Sequence, residues 1–307
     1  MTLTLSRRQA LVAGAAAPAA GLAGAAFAEA EMQGASQSIY SRFVLGGFEV
    51  TTLLSGTATR EDPQSIFALN VPEQRFQTVS EANFLPTDKA QFYFTPTVVN
   101  TGSELVLFDT GLNPRGIRRA LEAAGYSAEQ IDVVVITHMH GDHIGGLWGD
   151  AGETFPNARY LTNAAEFDHW ASAGNDNFEA KVRPLADKFT FIGDGASVSS
   201  GITSMVAAGH TPGHTTYMIE SDGQSVLIVA DLAAHYVYSL GYPDWEVRFD
   251  MDKAAAAASR RRVLDMLATD KVPFIGYHMP FPAVGYVGRR GQDGFRYVPM
   301  SYQMQVG

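Results

Sequence analysis

The sequence predicts an α/β fold of two packed mixed sheets with helices on their outer faces, an αββα sandwich. Three observations carry that expectation. Short apolar and β-branched runs recur along the chain with only a few helical stretches between them, the pattern of packed sheets. The run Ile131–Thr137 is apolar without alternation, so it reads as a strand covered on both faces. The strand-rich first half is echoed coarsely in the second, with helices interspersed in each. No low-complexity segment or long charge run interrupts residues 40–307, so residues 29–307 are expected to form one domain.

Composition supports a chain with ample core. The 307 residues are 46% hydrophobic, 11% aromatic and 18% charged, which excludes disordered, collagen-like and multi-span membrane classes. Twenty-two basic residues stand against 32 acidic ones, a formal charge of −10. Such a surface repels phosphate backbones, so no nucleic-acid partner is expected. The absence of cysteine rules out disulfides, thiolate metal sites and a cysteine nucleophile.

Taken in order, residues 1–28 read as an export signal. Arg7-Arg8 precedes a weakly apolar Ala/Gly/Leu/Val stretch that ends at Ala26-Phe27-Ala28, a small-x-small cleavage site. The paired arginines resemble a twin-arginine (Tat) signal, which implies a periplasmic protein exported after folding. Gly14, Pro18, Gly21 and Gly24 interrupt the stretch, so no stable membrane insertion is expected after cleavage. Phe43–Leu45, Gly46-Gly47 and Phe48–Leu53 form a hairpin, with two glycines free to take positive φ. Residues 60–90, with Pro63, Pro72 and Pro86, look like a surface excursion. Strands follow at Thr97–Asn100 and Leu105–Phe108, then a helix over Pro114–Ala124 that starts on proline and ends at Gly125. A helix is also expected over Ala164–Ala173. Farther on, strands fall at Ile202–Ala207, Thr215–Glu220 and Ser225–Val229, a long helix at Lys253–Ala268, and a short strand at Val272–Tyr277.

The strand Ile131–Thr137 runs directly into His138-Met139-His140-Gly141-Asp142-His143. Four donors in six residues stand out in a chain with eight histidines. A tight loop at the end of a buried strand aims alternate side chains into one cleft, and imidazole with carboxylate suits Zn²⁺ while tolerating Mn²⁺, Co²⁺ or Fe²⁺. Three later positions could complete such a site, each just after a strand: His210 in Gly209-His210-Thr211-Pro212-Gly213-His214, Asp231 and His278. A carboxylate like Asp231, at the end of an apolar run, is costly to bury without a partner. His214 reads as a buried hydrogen-bonding residue beside the ligands rather than one of them. His169 and His235 read as plain surface residues and Met139 as packing.

These motifs resemble the metallo-β-lactamase superfamily of dinuclear metal hydrolases over residues 40–280. The resemblance rests on the His-x-His-x-Asp-His cluster, the later Gly-His-Thr-Pro-Gly-His, the lone aspartate and the last histidine, in that order. It implies one divalent ion held by His138, His140 and His210, and a second by Asp142, His143 and His278, with Asp231 bridging both. It further implies two ions, most simply Zn²⁺, and a bridging hydroxide as nucleophile. By the same resemblance Asp109 orients a ligand, and Asp142 is a candidate proton donor to the leaving group. Within the superfamily the chain is most similar to the branch of methyl parathion hydrolase and its surrounding lactonases. That similarity rests on Phe43–Thr57, Asn100–Gly111, Ile136–Leu147, Phe155–Ala158, Gly209–Gln224 and Gly294–Pro299.

The resemblance implies a hydrolase of lactones or aryl esters, with phosphotriesters as further substrates. A quorum-quenching acyl-homoserine lactonase is a second reading, although such enzymes often place a Tyr three residues after the bridging aspartate, where this chain has Ala234. Tyr236 on the same loop could substitute. Residues 232–250 depart from the hydrolase pattern and would reshape specificity. A mononuclear iron sulfur dioxygenase and a non-catalytic metal- or ligand-binding module are also compatible with the motifs. Trp170, Phe178, Phe92, Phe94 and Tyr236 are the candidate pocket residues, since aromatics around a polar centre suit an aryl or acyl group. The expected partner is a small lactone or ester, and a second copy of the chain is the one protein partner left open.

Overall fold

In a computed structural model, residues 31–291 and 294–305 are described; the expected export signal at 1–28 lies outside them. Residues 31–37 carry no helix or strand. From Ser38 onward the chain builds two seven-stranded sheets, each with its strands in chain order. The first runs Tyr40–Leu45, Phe48–Leu53, Thr97–Asn100, Leu105–Phe108, Val133–Val135, Arg159–Asn163 and Phe189–Ile192. Its last four strands are parallel neighbours, the others antiparallel. The second runs Ser197–Ser199, Ile202–Val206, Thr215–Ser221, Gln224–Ala230, Phe274–Gly276, Val284–Arg290 and Gly294–Pro299. Only Gln224–Ala230 and Phe274–Gly276 pair in parallel there. Between them the chain crosses over through the helix Lys253–Asp270, as a parallel pair requires.

Period-two alternation divides the strand residues between layers. Val133 and Val135 face the second sheet with Phe43, Val50, Val99 and Val106, meeting Ile202, Tyr217, Ile219, Val226, Ile228 and Ile275. Val134 points the other way, with Val98 and Leu107, onto Ile117 and Leu121 of the helix Pro114–Ala123. On the far side Leu227, Val229 and Phe274 pack against Val263, Leu264 and Leu267 of Lys253–Asp270. This is the αββα sandwich that the sequence predicts. No helix among the described residues is long and apolar enough to cross a membrane.

Two expectations are corrected. Residues 60–90 are not a surface excursion. They contain a ribbon of Gly56–Glu61 paired with Lys89–Phe94 and a helix Glu73–Ala82. Phe67 and Phe76 are fully buried there against Tyr238, Trp245 and Val247. The prolines misled because Pro63 and Pro72 open helical turns instead of breaking them. The strand expected over Ile131–Thr137 is regular only from Val133 to Val135. Ile136 still donates to Leu161 O at 2.8 Å, after which Thr137 and His138 turn into the cleft. In the first hairpin only Gly46, at φ 58°, takes the left-handed conformation.

Gly209 is held by a close approach. Its φ is 129°, and a Cβ there would sit 2.1 Å from the Ala256 nitrogen on the long helix. Overpacking and backbone strain then act together, so Gly209→Ala should cost about 2–5 kcal/mol of unfolding free energy. Urea denaturation of the metal-free protein checks this; a loss within 0.5 kcal/mol, roughly the size of a surface substitution, would contradict the packing described.

Candidate metal centre

The site gathers at the carboxyl ends of central strands. Asp109 follows Leu105–Phe108, Thr137-His138 follow Val133–Val135, and Asp231 follows Gln224–Ala230. His210 and His278 lie in the loops after Ile202–Val206 and Phe274–Gly276. Ala230 adopts φ 47° and Asp109 φ 60°, left-handed conformations uncommon for such residues. At Ala230 the kink ends the strand at the residue preceding the buried carboxylate of Asp231. Strained backbone of this kind concentrates at functional sites.

All seven sequence-predicted ligands come together. Donor atoms of three triads lie within 4.8 Å of one another: His138, His140 and His210; His138, His143 and Asp231; and Asp142, His143 and His278. His140 Nδ1 stands 3.1 Å from His138 Nε2 and 2.9 Å from His210 Nε2. Nitrogens bound tetrahedrally to zinc at ~2.05 Å lie about 3.3 Å apart, so this spacing fits one small cation. Asp231 Oδ2 is 3.1 Å from His278 Nε2 and 3.4 Å from His210 Nε2, and its Oδ1 is 3.3 Å from His143 Nε2. Its carboxylate therefore touches both groups. His143 Nε2 and Asp231 Oδ1 are buried and have no hydrogen-bond partner. Buried polar atoms are rarely left so, and this pair is what ligand atoms facing a cation look like.

Three of the imidazoles are oriented by their far nitrogen. His143 Nδ1 donates to Asp109 Oδ2 at 2.8 Å, and Asp109 itself accepts from Thr137 N and Oγ1, both at 2.9 Å. His210 Nδ1 donates to Asp250 Oδ1 at 2.9 Å, and His278 Nδ1 donates to Tyr93 O at 2.8 Å. Because carboxylates and carbonyls only accept, the Nε2 lone pairs are left facing the cluster. His214 spends both nitrogens on the chain: Nδ1 on Ala207 O, and Nε2 as acceptor from Asp231 N at 3.2 Å. It fixes the Asp231 backbone and has no lone pair left for an ion.

The electrostatics call for positive charge. Burial, reinforced by neighbouring histidines, holds His138 and His140 well below the usual imidazole range, which keeps their lone pairs free. Burial also opposes charge on His143 and His278, but carboxylates outweigh it: Asp109, Asp231 and Asp142 for the former, Asp231 and Asp142 for the latter. Both are raised, so without an ion they take up the protons that divalent cations would displace.

The candidate pocket residues separate. Phe92 and Phe94 wall the cleft with Phe249 and Leu112, over a cavity of about 460 Å³. Their rings meet His278 edge-on at 5.2 and 5.6 Å. Trp170 is half-buried, 5.6 Å from the His140 ring, with its indole N–H given to Glu166 Oε1 at 2.7 Å. Tyr236 lines a neighbouring cavity instead. Phe178 is a correction: it is fully buried on the helical side of the first sheet against Phe167, where helical spacing puts it in the core. His235 is a second correction, being buried rather than a surface residue.

Sequence reasoning missed the supports. Asp250 is buried between His210 and Arg260, whose Nη2 lies 2.7 Å from Asp250 Oδ2. Arg260 also donates to Leu232 O and Pro243 O, so one buried guanidinium ties down both ends of the segment after Asp231. Glu166 accepts from Met139 N and Gly213 N, joining the two histidine loops. Tyr277 packs against His143, ring centroids 3.9 Å apart and planes tilted by 31°. In sequence, Arg260 is one of three consecutive arginines and Glu166 an ordinary helical glutamate, so neither carried a signal.

A family model, the metallo-beta-lactamase superfamily, matches residues 95–273. The chain belongs to this superfamily. An N-acyl homoserine lactonase of Bacillus cereus is 26% identical over 159 residues, 51% of this chain and 60% of the lactonase. The chain thus spans less than two thirds of that relative's length. Among solved structures, AidC, a dizinc quorum-quenching lactonase in complex with a product, is 27% identical. It superposes with a TM-score of 0.79 over 86% of this chain and 98% of its own. The hydrolase AbOPH, at 22% identity, shares the fold with a TM-score of 0.81 over 88% of this chain and 100% of its own.

Two outcomes follow. Asp250→Ala leaves Arg260 buried and unpaired and His210 unoriented, so it should cost about 3–5 kcal/mol of stability and weaken metal binding at the His138–His140–His210 group. Urea unfolding and a metal titration measure both, and wild-type values would refute the role given to Asp250. Burial pushes His235 down to about 3, whereas an unfolded imidazole titrates near ~6.5. Only the unfolded chain takes up that proton between those values. The stability contribution is therefore complete above about pH 6.5 and falls by roughly 1.4 kcal/mol per unit below it. From pH 7 to pH 5 the wild type should lose about 2 kcal/mol relative to His235→Phe; parallel pH profiles would contradict a neutral buried ring.

Proposed function

We propose that the protein is a dinuclear metal hydrolase that opens lactones, N-acyl homoserine lactones among them. The observation that carries this reading is the carboxylate of Asp231 between two donor groups at the floor of an aromatic-walled cleft. On this reading His138, His140 and His210 hold one ion, Asp142, His143 and His278 the other, and Asp231 both. Divalent ions held by these residues would supply Lewis acidity toward the ester carbonyl and a water acidified toward neutral pKa, so no serine or cysteine nucleophile is needed.

The chain's own residues do the rest. Asp109, Asp250 and the Tyr93 carbonyl hold the Nδ1 protons of His143, His210 and His278, so these rings need no reorientation as charge develops. Phe92, Phe94, Phe249 and Leu112 exclude water from the carbonyl and accept the apolar part of the substrate. Asp142, whose side chain is 23% exposed, is the carboxylate at the open side of the cluster. It is placed to hold the proton that the departing alkoxide needs when water adds and the ring C–O bond breaks, giving the hydroxy acid. The likeness to AidC and to the Bacillus lactonase favours lactones over other esters. The aromatic wall favours aryl leaving groups as well, so aryl phosphotriester turnover is proposed as a side activity. Export by the Arg7-Arg8 signal to the periplasm is part of the same proposal.

Purified protein reconstituted with Zn²⁺, Mn²⁺ or Co²⁺ and offered dihydrocoumarin, an acyl-homoserine lactone and an aryl phosphotriester tests the reading. Ring opening of the two lactones should exceed phosphotriester turnover in kcat/KM by at least about tenfold, roughly 1.4 kcal/mol in the barrier. A panel silent with all three metals would overturn the hydrolase and leave a binding module.

A further inference from the structure

Two cavities meet at His278. One is the cleft over the donor cluster; the other, of about 410 Å³, is lined by Leu85, Pro86, Tyr93, Tyr236, Pro280 and His235 and shares His278 with the first. The ribbon Gly56–Glu61/Lys89–Phe94 lines both. Phe92 and Phe94 face the metal side, while Thr59, Gln91 and Tyr93, at the alternate positions, line the second cavity. Nothing in the chemistry above uses this second cavity.

His235 gives it a polar feature of defined sign. The residue is 7% exposed, and its ring stacks on Tyr238 at 4.2 Å and on Tyr236 at 4.8 Å. Its Nδ1 faces the backbone N–H groups of Val237 at 3.1 Å and Tyr238 at 3.2 Å. Both of those groups can only donate, so Nδ1 accepts and the ring proton sits on Nε2. No acceptor among the described residues takes that proton. Burial keeps the ring uncharged at neutral pH. The cavity thus presents the neutral His235 N–H among largely apolar and aromatic walls, beside the hydroxyls of Thr59, Tyr93 and Tyr236 and the amide of Gln91. Lys89 also lines it, more than half exposed and 3.8 Å from Asp88, so the cation there has a partner. A donor facing a largely apolar cavity, with no acceptor among the described residues, is available to a ligand acceptor that enters it.

We infer that the second cavity takes the substituent of the ring-opened substrate, and that His235 Nε2–H donates to an uncharged carbonyl, of an amide or ketone, carried on that substituent. His235 is then a specificity-determining residue that selects acyl-bearing lactones over plain alkyl lactones. The inference rests on the lactonase reading for its substrate, and on the tautomer and the cavity for its chemistry.

The test has two arms on the metal-loaded protein. In the first, kcat/KM is measured for γ-butyrolactones bearing a hexanoylamino group or a hexyl chain, with wild type and His235→Phe. The variant should lose about tenfold or more on the acylamino lactone, the usual result of removing one buried donor, and less than about twofold on the hexyl lactone. In the second, hexanamide is titrated into wild-type protein with ¹⁵N-labelled histidine, and the Nε2–H resonance of His235 should move downfield. This arm needs no variant to fold. Equal losses on both lactones, or saturation by hexanamide with that resonance unmoved, would overturn the inference. If neither lactone turns over while hexanamide still moves the resonance, the cavity assignment stands and the lactonase reading fails.

Discussion

A carboxylate buried between rings of imidazole is the constraint around which this fold is arranged. Asp231 is 4% exposed, its Oδ1 has no hydrogen-bond partner, and histidines from three separate loops close on it. Left alone, such a charge would be expelled or neutralised. It is kept by a left-handed kink at Ala230, by His214 holding its backbone N–H, and by rings whose far nitrogens are tied to Asp109, Asp250 and the Tyr93 carbonyl. The two sheets and their outer helices hold the five loops to which these groups belong in register.

The donor cluster was legible in the sequence because its residues are dense and local. His138, His140, Asp142 and His143 fall within six residues, and His210, Asp231 and His278 each follow an apolar run. Nine of the fourteen sandwich strands were legible too, with frayed ends, since β-branched runs covered on both faces have little else to form; Arg159–Asn163, Phe189–Ile192, Ser197–Ser199, Val284–Arg290 and Gly294–Pro299 were not expected. What was not legible depends on distant pairs. Asp250 and Arg260 have meaning only through each other and His210, and spacing along the chain does not show that a guanidinium will be buried. Phe178 was misplaced because an aromatic on a short helix reads the same whether it faces a cleft or a core. Residues 60–90 were misjudged because proline opens a helix as readily as it ends one.

The segment after Asp231 links these failures. In the fold it packs Tyr238 and Trp245 onto Phe67 and Phe76 from that same misjudged region. Arg260 fastens it at Leu232 and Pro243, and Asp250 carries its far end back to a donor histidine. The stretch that shapes the second cavity is therefore mechanically joined to the metal centre. Changes in substrate preference here would be expected to disturb metal affinity, and the reverse.

Metal analysis of wild type and Asp231→Asn side by side tests the central claim most directly. With one carboxylate shared by two donor groups, the wild type should carry two divalent ions per chain, and the variant about one, with the remaining ion more easily removed by chelator. Two tightly held ions in both proteins, or a single iron per wild-type chain, would contradict the shared carboxylate and the dinuclear hydrolase with it.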